Sequence, residues 1–133
     1  MPNMVVCDTH AILFWAAQPE RLPKKAAVRM DLESKNGTLG CADIVLWEIA
    51  MLVAKQRITV PVSAADYIRD IVLALRLQVL PITPEIAANS QSGLFSYGDP
   101  ADRLIVATAL CHRAPLISGD EKIAAIAGLD VIW

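Results

Sequence analysis

Apolar positions along the chain fall into short, mostly unbroken runs set between longer stretches with helical spacing. The short runs are "MVVC" (4–7), "TLGC" (38–41), "QVLPI" (78–82), "PLIS" (115–118) and "DVIW" (130–133). Their length and lack of polar alternation predict strands buried on both faces. Helices are expected over "AILFWAA" (11–17), "PKKAAVRMDLESK" (23–35) and within "CADIVLWEIAMLVAKQ" (41–56). Further helices are expected over "VSAADYIRDIVLALRL" (62–77), "TPEIAANSQ" (83–91), "DPADRLIVATALCHR" (99–113) and "DEKIAAIA" (120–127). Ser63, Thr83 before Pro84, and Asp99 before Pro100 read as helix starts, and Asn36-Gly37 as a stop. "GLFSYG" (93–98) reads as a loop. Strands alternating with helices place the chain in the α/β class, with a parallel sheet covered on both faces. In such sheets ligands bind outside the carboxyl ends of the strands.

At 133 residues one domain spanning 1–133 is expected. Apolar residues make up 55% and charged residues 20%, so some apolar surface is expected to meet a partner. The net charge of −2, from 12 basic and 14 acidic residues, leaves no basic footprint of the kind nucleic-acid binding usually leaves. A bound metal can nevertheless supply that positive charge. The three cysteines, Cys7, Cys41 and Cys111, each lie beside apolar residues and read as buried thiols of a reducing cytoplasm, in no zinc-binding pattern. No signal peptide or membrane span is expected, and the sequence carries no GxGxxG or Walker loop.

The acids change the picture. Asp8 follows the first expected strand and Asp120 the fourth, while Asp99 and Asp102 open the helix over 99–113. In a parallel sheet, strand ends and helix starts share one edge, so these side chains converge there. Capping and the helix dipole alone could account for Asp8, Asp99, Asp102 and Asp120. Glu48 lies too deep in its helix to cap it, among mostly apolar neighbours, and a salt bridge to Lys55 at seven residues' separation is poorly supported. Two like charges at about 4 Å repel by roughly 1 kcal/mol in water and by about 4 kcal/mol at the effective dielectric of a protein edge. A cluster persists if carboxylates stay protonated or if divalent cations neutralise them. Oxygen-only ligands favour Mg²⁺ or Mn²⁺, whose paired chemistry on phosphodiesters is water activation and stabilisation of in-line displacement.

"VVCDTHAILFW", "LWEIAMLVAK", "GDPADRLIVATA" and "LISGDEKI" resemble, in that order, the motifs of PIN-domain proteins, specifically the VapC-type ribonuclease toxins of type II toxin–antitoxin pairs. The resemblance implies a three-layer α/β/α domain around a parallel sheet of about five strands. It implies an endoribonuclease that hydrolyses RNA with metal-activated water and is held inactive by a cognate antitoxin. By position, Asp8, Glu48, Asp102 and Asp120 match the family's catalytic and metal-binding acids. Thr9 and Ser118 match its neighbouring hydroxyl residues. Asp99 reads as a cap first and a metal-site support second, and Arg103 as a phosphate contact or an internal ion pair. The chain departs from this branch at Tyr97, where a histidine is common, at Ala101, where a phenylalanine is common, and at Val45, where a serine is common. None of these changes removes an acid.

Two rival readings remain. A metal-dependent phosphatase needs a second Asp two residues after the nucleophile, where this chain has His10. A receiver-like binding module wants an acidic pair before its acceptor Asp and a lysine after the last strand, neither of which is clear here. His10 and His112 read as structural or solvent-facing, and Trp15, Trp47 and Trp133 as core or interface. Arg21, Lys24 and Lys25 read as a solvated face, or more sharply as an RNA backbone contact. Tyr67, Ile68, Ile71, Val72 and Leu75 could line an antitoxin groove, although core packing explains the same spacing. A homodimer in the cytoplasm completes these expectations.

Overall fold

A computed structural model describes residues 3–93 and 98–133. The expected loop over 93–98 falls largely, and Tyr97 wholly, outside the described residues. The chain runs β1 (Val5–Cys7), α1 (Thr9–Ala17), a 3₁₀ turn (Pro19–Arg21), α2 (Lys24–Asn36), β2 (Leu39–Ala42), α3 (Ile44–Ala54) and α4 (Ala64–Leu75). It continues with β3 (Gln78–Leu80), α5 (Pro84–Asn89), α6 (Pro100–Cys111), β4 (Leu116–Ile117), α7 (Glu121–Ala124) and β5 (Val131–Ile132). The five strands form one sheet in the order β3-β2-β1-β4-β5, and every pair is parallel.

Val5, Val6 and Cys7 of β1 and all four residues of β2 are buried. Successive side chains of a strand point to opposite faces, so both faces of the sheet centre are covered, as the unbroken apolar runs require. The core joins these strands to Ile12, Met30, Val45, Ile49, Ile105 and Leu116. Ile71 and Leu75 of α4 are buried in it, with Tyr67, Ile68 and Val72 packed against it, so core packing accounts for that helix's apolar spacing.

From β1 the chain builds outward to β2 and β3, then crosses back to place β4 on the other side of β1. The sheet's switch point therefore lies between β1 and β4, where a crevice opens at the carboxyl ends of the strands. The Asp8 amide donates to the Ile117 carbonyl at 3.1 Å and ties the two strand ends together there.

Several boundaries differ from expectation for local reasons. α1 starts at Thr9, before the expected 11–17, because the Asp8 side chain accepts from the Ala11 amide at 2.8 Å and caps it. α4 stops at Leu75 because Arg76 turns into the left-handed region at φ 53°. β3 stops at Leu80, before Pro81, which has no amide to donate. α7 is only four residues of the expected 120–127. Cys7 and Cys41 are buried, but Cys111 is exposed, contrary to the sequence expectation, because it is the last residue of α6 and lies at the surface. Gly37 closes α2 at φ 72°, a conformation that favours glycine. No helix among the described residues is long and apolar enough to cross a membrane.

Candidate active site

The acids anticipated from the sequence meet at this crevice. Asp8, Glu48, Asp99, Asp102 and Asp120 all line one cavity of about 440 Å³, with His10, Phe14, Arg21 and Trp133 also on its walls. Three of the acids arrive as caps of three different helices. Asp8 caps α1 directly after β1, and Asp120 caps α7 after β4, accepting from the Lys122 amide at 2.9 Å. Asp99 caps α6 by accepting from the Asp102 amide at 2.8 Å. Asp102 stands one turn further on, so the i, i+3 spacing puts both acids on the same side of the helix start.

Glu48 is the outlier foreseen from its sequence context. It is 8% exposed and lies in the middle of α3. Among the described residues no ion pair holds it: its carboxylate accepts a hydrogen bond from the buried Thr9 hydroxyl, and Lys55 takes no part. Thr9 sits at the start of α1, so this bond fixes the acid of one helix against another. Ser118 plays a parallel part. Its hydroxyl accepts from the Asp120 amide at 3.2 Å and is hydrogen-bonded to the Asp8 carboxylate. The Nε of Arg103 is buried with no hydrogen-bond partner among the described residues, and the residue borders a small hollow together with Asp102 and Asp120.

The acids do not stand at equal distances. Carboxylate oxygens of Glu48, Asp99 and Asp102 lie within 4.8 Å of one another, close enough to share one cation. Asp99, read from the sequence as a cap first, is thus part of the tightest group. Asp8 and Asp120 border the same cavity outside that group. The cost of the crowding is visible in the acid strengths. Burial, then the neighbouring charges of Asp99, Glu48, Asp120 and Asp8, push the Asp102 carboxyl from 3.8 up to about 6. Burial also raises Asp8, opposed by its bonds to Ser118 and the Ala11 amide. An oxygen-only donor set of this spacing, carrying repulsion that a divalent cation would relieve, suits a hard ion such as Mg²⁺ or Mn²⁺.

Sequence reasoning missed two things around the site. The 3₁₀ turn brings Arg21 over the Phe14 ring, 4.4 Å from its centroid. Trp133 packs near Phe14 with ring centroids 6.2 Å apart. Gly119 leaves room for the indole: a β-carbon there would fall 2.5 Å from the Trp133 ring, a closeness visible only in the fold.

Comparison with known proteins agrees with the geometry. A PIN domain family model matches residues 5–129. Ribonuclease VapC22 of Mycobacterium tuberculosis (strain ATCC 25618 / H37Rv) is 32% identical over 120 residues, covering 90% of this chain and 88% of that protein. The fold is shared with the crystal structure of VapBC2 from Rickettsia felis bound to a DNA fragment from their promoter, with a TM-score of 0.72, 20% identity and 96% of each chain covered. It is also shared with DNA-bound VapBC from Salmonella typhimurium, with a TM-score of 0.67, 16% identity and 98% and 97% of the chains covered. With an acid-lined crevice at the switch point of a parallel sheet, and with these relatives, the chain belongs to the PIN-domain family, in its VapC-type branch.

Proposed function

We propose that this chain is the endoribonuclease toxin of a type II toxin–antitoxin pair, acting as one domain over residues 1–133 in the cytoplasm. The observation that carries this reading is the gathering of five carboxylates, from the starts of three helices and the middle of a fourth, around one cavity. Glu48, Asp99 and Asp102 would hold a Mg²⁺ or Mn²⁺ ion, and Asp8 and Asp120 would complete the set directly or through water. When bound, the ion supplies charge neutralisation at the phosphodiester and lowers the cost of activating water.

The chain's own residues do the rest. Thr9 fixes the Glu48 carboxylate, and Ser118 fixes Asp8 and the backbone at Asp120, so the acids are preorganised by hydroxyl groups at the start of α1 and just past β4. Arg103, which borders the neighbouring hollow with Asp102 and Asp120, would reach a phosphate there through its terminal guanidinium nitrogens. A cognate antitoxin would cover the site. A homodimer belongs to the same reading. Trp47, 58% exposed beside Ile44, Met51 and Pro100, offers the apolar surface a second copy would cover.

The test uses Asp8→Asn. Asparagine keeps an oxygen that can accept from the Ala11 amide, so the cap and the fold are retained. The parent should cut single-stranded RNA with Mn²⁺ or Mg²⁺ and stop on adding EDTA, and the variant should be nearly inactive. Equal cutting by the variant, with contaminating nuclease excluded, would sink the mechanism.

A further inference from the structure

A second cavity, of about 640 Å³, adjoins the acid-lined one. The two share His10, Phe14 and Arg21 as common wall residues. Beyond that shared wall the second cavity is bordered by Arg57, Tyr67 and apolar residues such as Leu13, Leu52 and Ile58, and among the described residues no Asp or Glu lines it. The basic residues thus run outward from the acids: His10 and Arg21 stand on the wall between the two cavities, and Arg57 lies beyond it in the second. Arg21 and Arg57 are both exposed and neither forms a salt bridge among the described residues. Arg21 instead bonds Gln18 at 3.2 Å and lies over Phe14, on the wall shared with the acid-lined cavity.

We propose that this second cavity is the track of the RNA strand flanking the cut phosphate, with Arg21 and Arg57 contacting successive phosphates and the Arg21–Phe14 pair offering a plane on which an unpaired base can stack. The inference rests on the ribonuclease reading and extends it to named substrate-positioning residues. A polyanion is the occupant that the charges favour. Its backbone would pass from the acids, where a cation must balance it, directly onto fixed arginines. Stacking against an aromatic ring or a guanidinium plane requires bases free of a duplex, so the track selects single-stranded segments. A neutral or basic protein segment would leave both arginines uncompensated.

The experiment measures binding of a fluorescein-labelled, mixed-sequence 12-nucleotide RNA by anisotropy at several salt concentrations. Asp8→Asn protein in Mg²⁺ keeps the RNA intact. Adding Arg57→Ala or Arg21→Ala should weaken binding about tenfold each and make the slope of log K against log salt shallower by about 0.7, the share of one single-strand phosphate contact. Arg57→Lys should restore both, and melting temperatures should stay at the parental value because both side chains are exposed. Unchanged affinity and slope in the alanine variants, while the parent still cuts the oligomer with Mn²⁺, overturn the track and leave the nuclease reading standing. Failure of Arg57→Lys to restore binding overturns it as well. A parent that neither cuts nor binds the oligomer overturns both.

Discussion

Replacing Asp102 by Asn should make the metal-free protein more stable while destroying its activity. The structure sets the magnitude. Asp102 stands among four other carboxylates, and burial with their charges lifts its carboxyl from 3.8 to about 6. A displacement of about two pKa units corresponds to about 3 kcal/mol against the ionised form. Asp102 is only half-buried, so solvent screening reduces this to about 1–2 kcal/mol. The folded state holds this proton more tightly than the unfolded chain, so it carries the extra proton between 3.8 and about 6. Stability from this group is therefore full below 3.8, falls as pH rises through that window and is lost above about 6. Asparagine carries no charge at any pH. In EDTA at pH 7.5 the variant should melt about 3–8 °C above the parent, and at pH 4 the gap should close. Addition of Mn²⁺ should raise the parent's melting temperature by ligand linkage and the variant's much less. Scanning calorimetry across pH 4–8 with and without the ion reads all of this. If Asp102→Asn lowers the metal-free melting temperature at pH 7.5, carboxylate repulsion is not what strains the site, and the case for a cation-balanced cluster fails.

Three smaller perturbations probe the supports. Thr9→Val removes the hydroxyl that donates to buried Glu48, which should cost about 1–3 kcal/mol in urea unfolding and lower RNA cleavage. Gly119→Ala places a β-carbon against the Trp133 ring and should cost about 1–3 kcal/mol, with a changed tryptophan emission as the indole moves. Glu33→Gln weakens the buried contacts of that acid with Arg29 at 3.1 Å and the Thr38 hydroxyl at 2.6 Å, and should lower stability while leaving metal-dependent cleavage per folded molecule unchanged.

The fold was legible because burial and sequence pattern agree. β1 and β2 are apolar without alternation since both faces are covered, and each helix start that mattered was marked by Asp, Ser or Thr. Strand ends were less legible. β4 and β5 pair over two residues each, and the apolar runs around them serve the core as readily outside the ladder as in it. Cys111 was misplaced for a related reason: apolar neighbours in sequence say little about the face a residue takes at a helix end. Arg21, Phe14 and Trp133 were not legible as wall residues, since their meeting depends on a 3₁₀ turn and on the space left by Gly119.

Capping and metal binding looked like competing explanations for the acids, and the geometry makes them compatible. Each cap occupies one carboxylate oxygen: Oδ1 of Asp8 on the Ala11 amide, of Asp99 on the Asp102 amide, of Asp120 on the Lys122 amide. A carboxylate has two oxygens, so a capping acid retains a ligand atom while the cap locks its rotamer. Asp99 shows this directly, capping α6 and lying within reach of Glu48 and Asp102. Helix starts at the carboxyl edge of a parallel sheet therefore deliver acids that are already oriented, at little additional ordering entropy. Glu48 has no cap to orient it, and there the Thr9 hydroxyl takes over that role. On this reasoning Thr9→Ser, which keeps the donor, should preserve cleavage better than Thr9→Val. Loss of cleavage in Thr9→Ser with cleavage preserved in Thr9→Val would mean that the methyl packing of Thr9, and not its hydroxyl, positions Glu48.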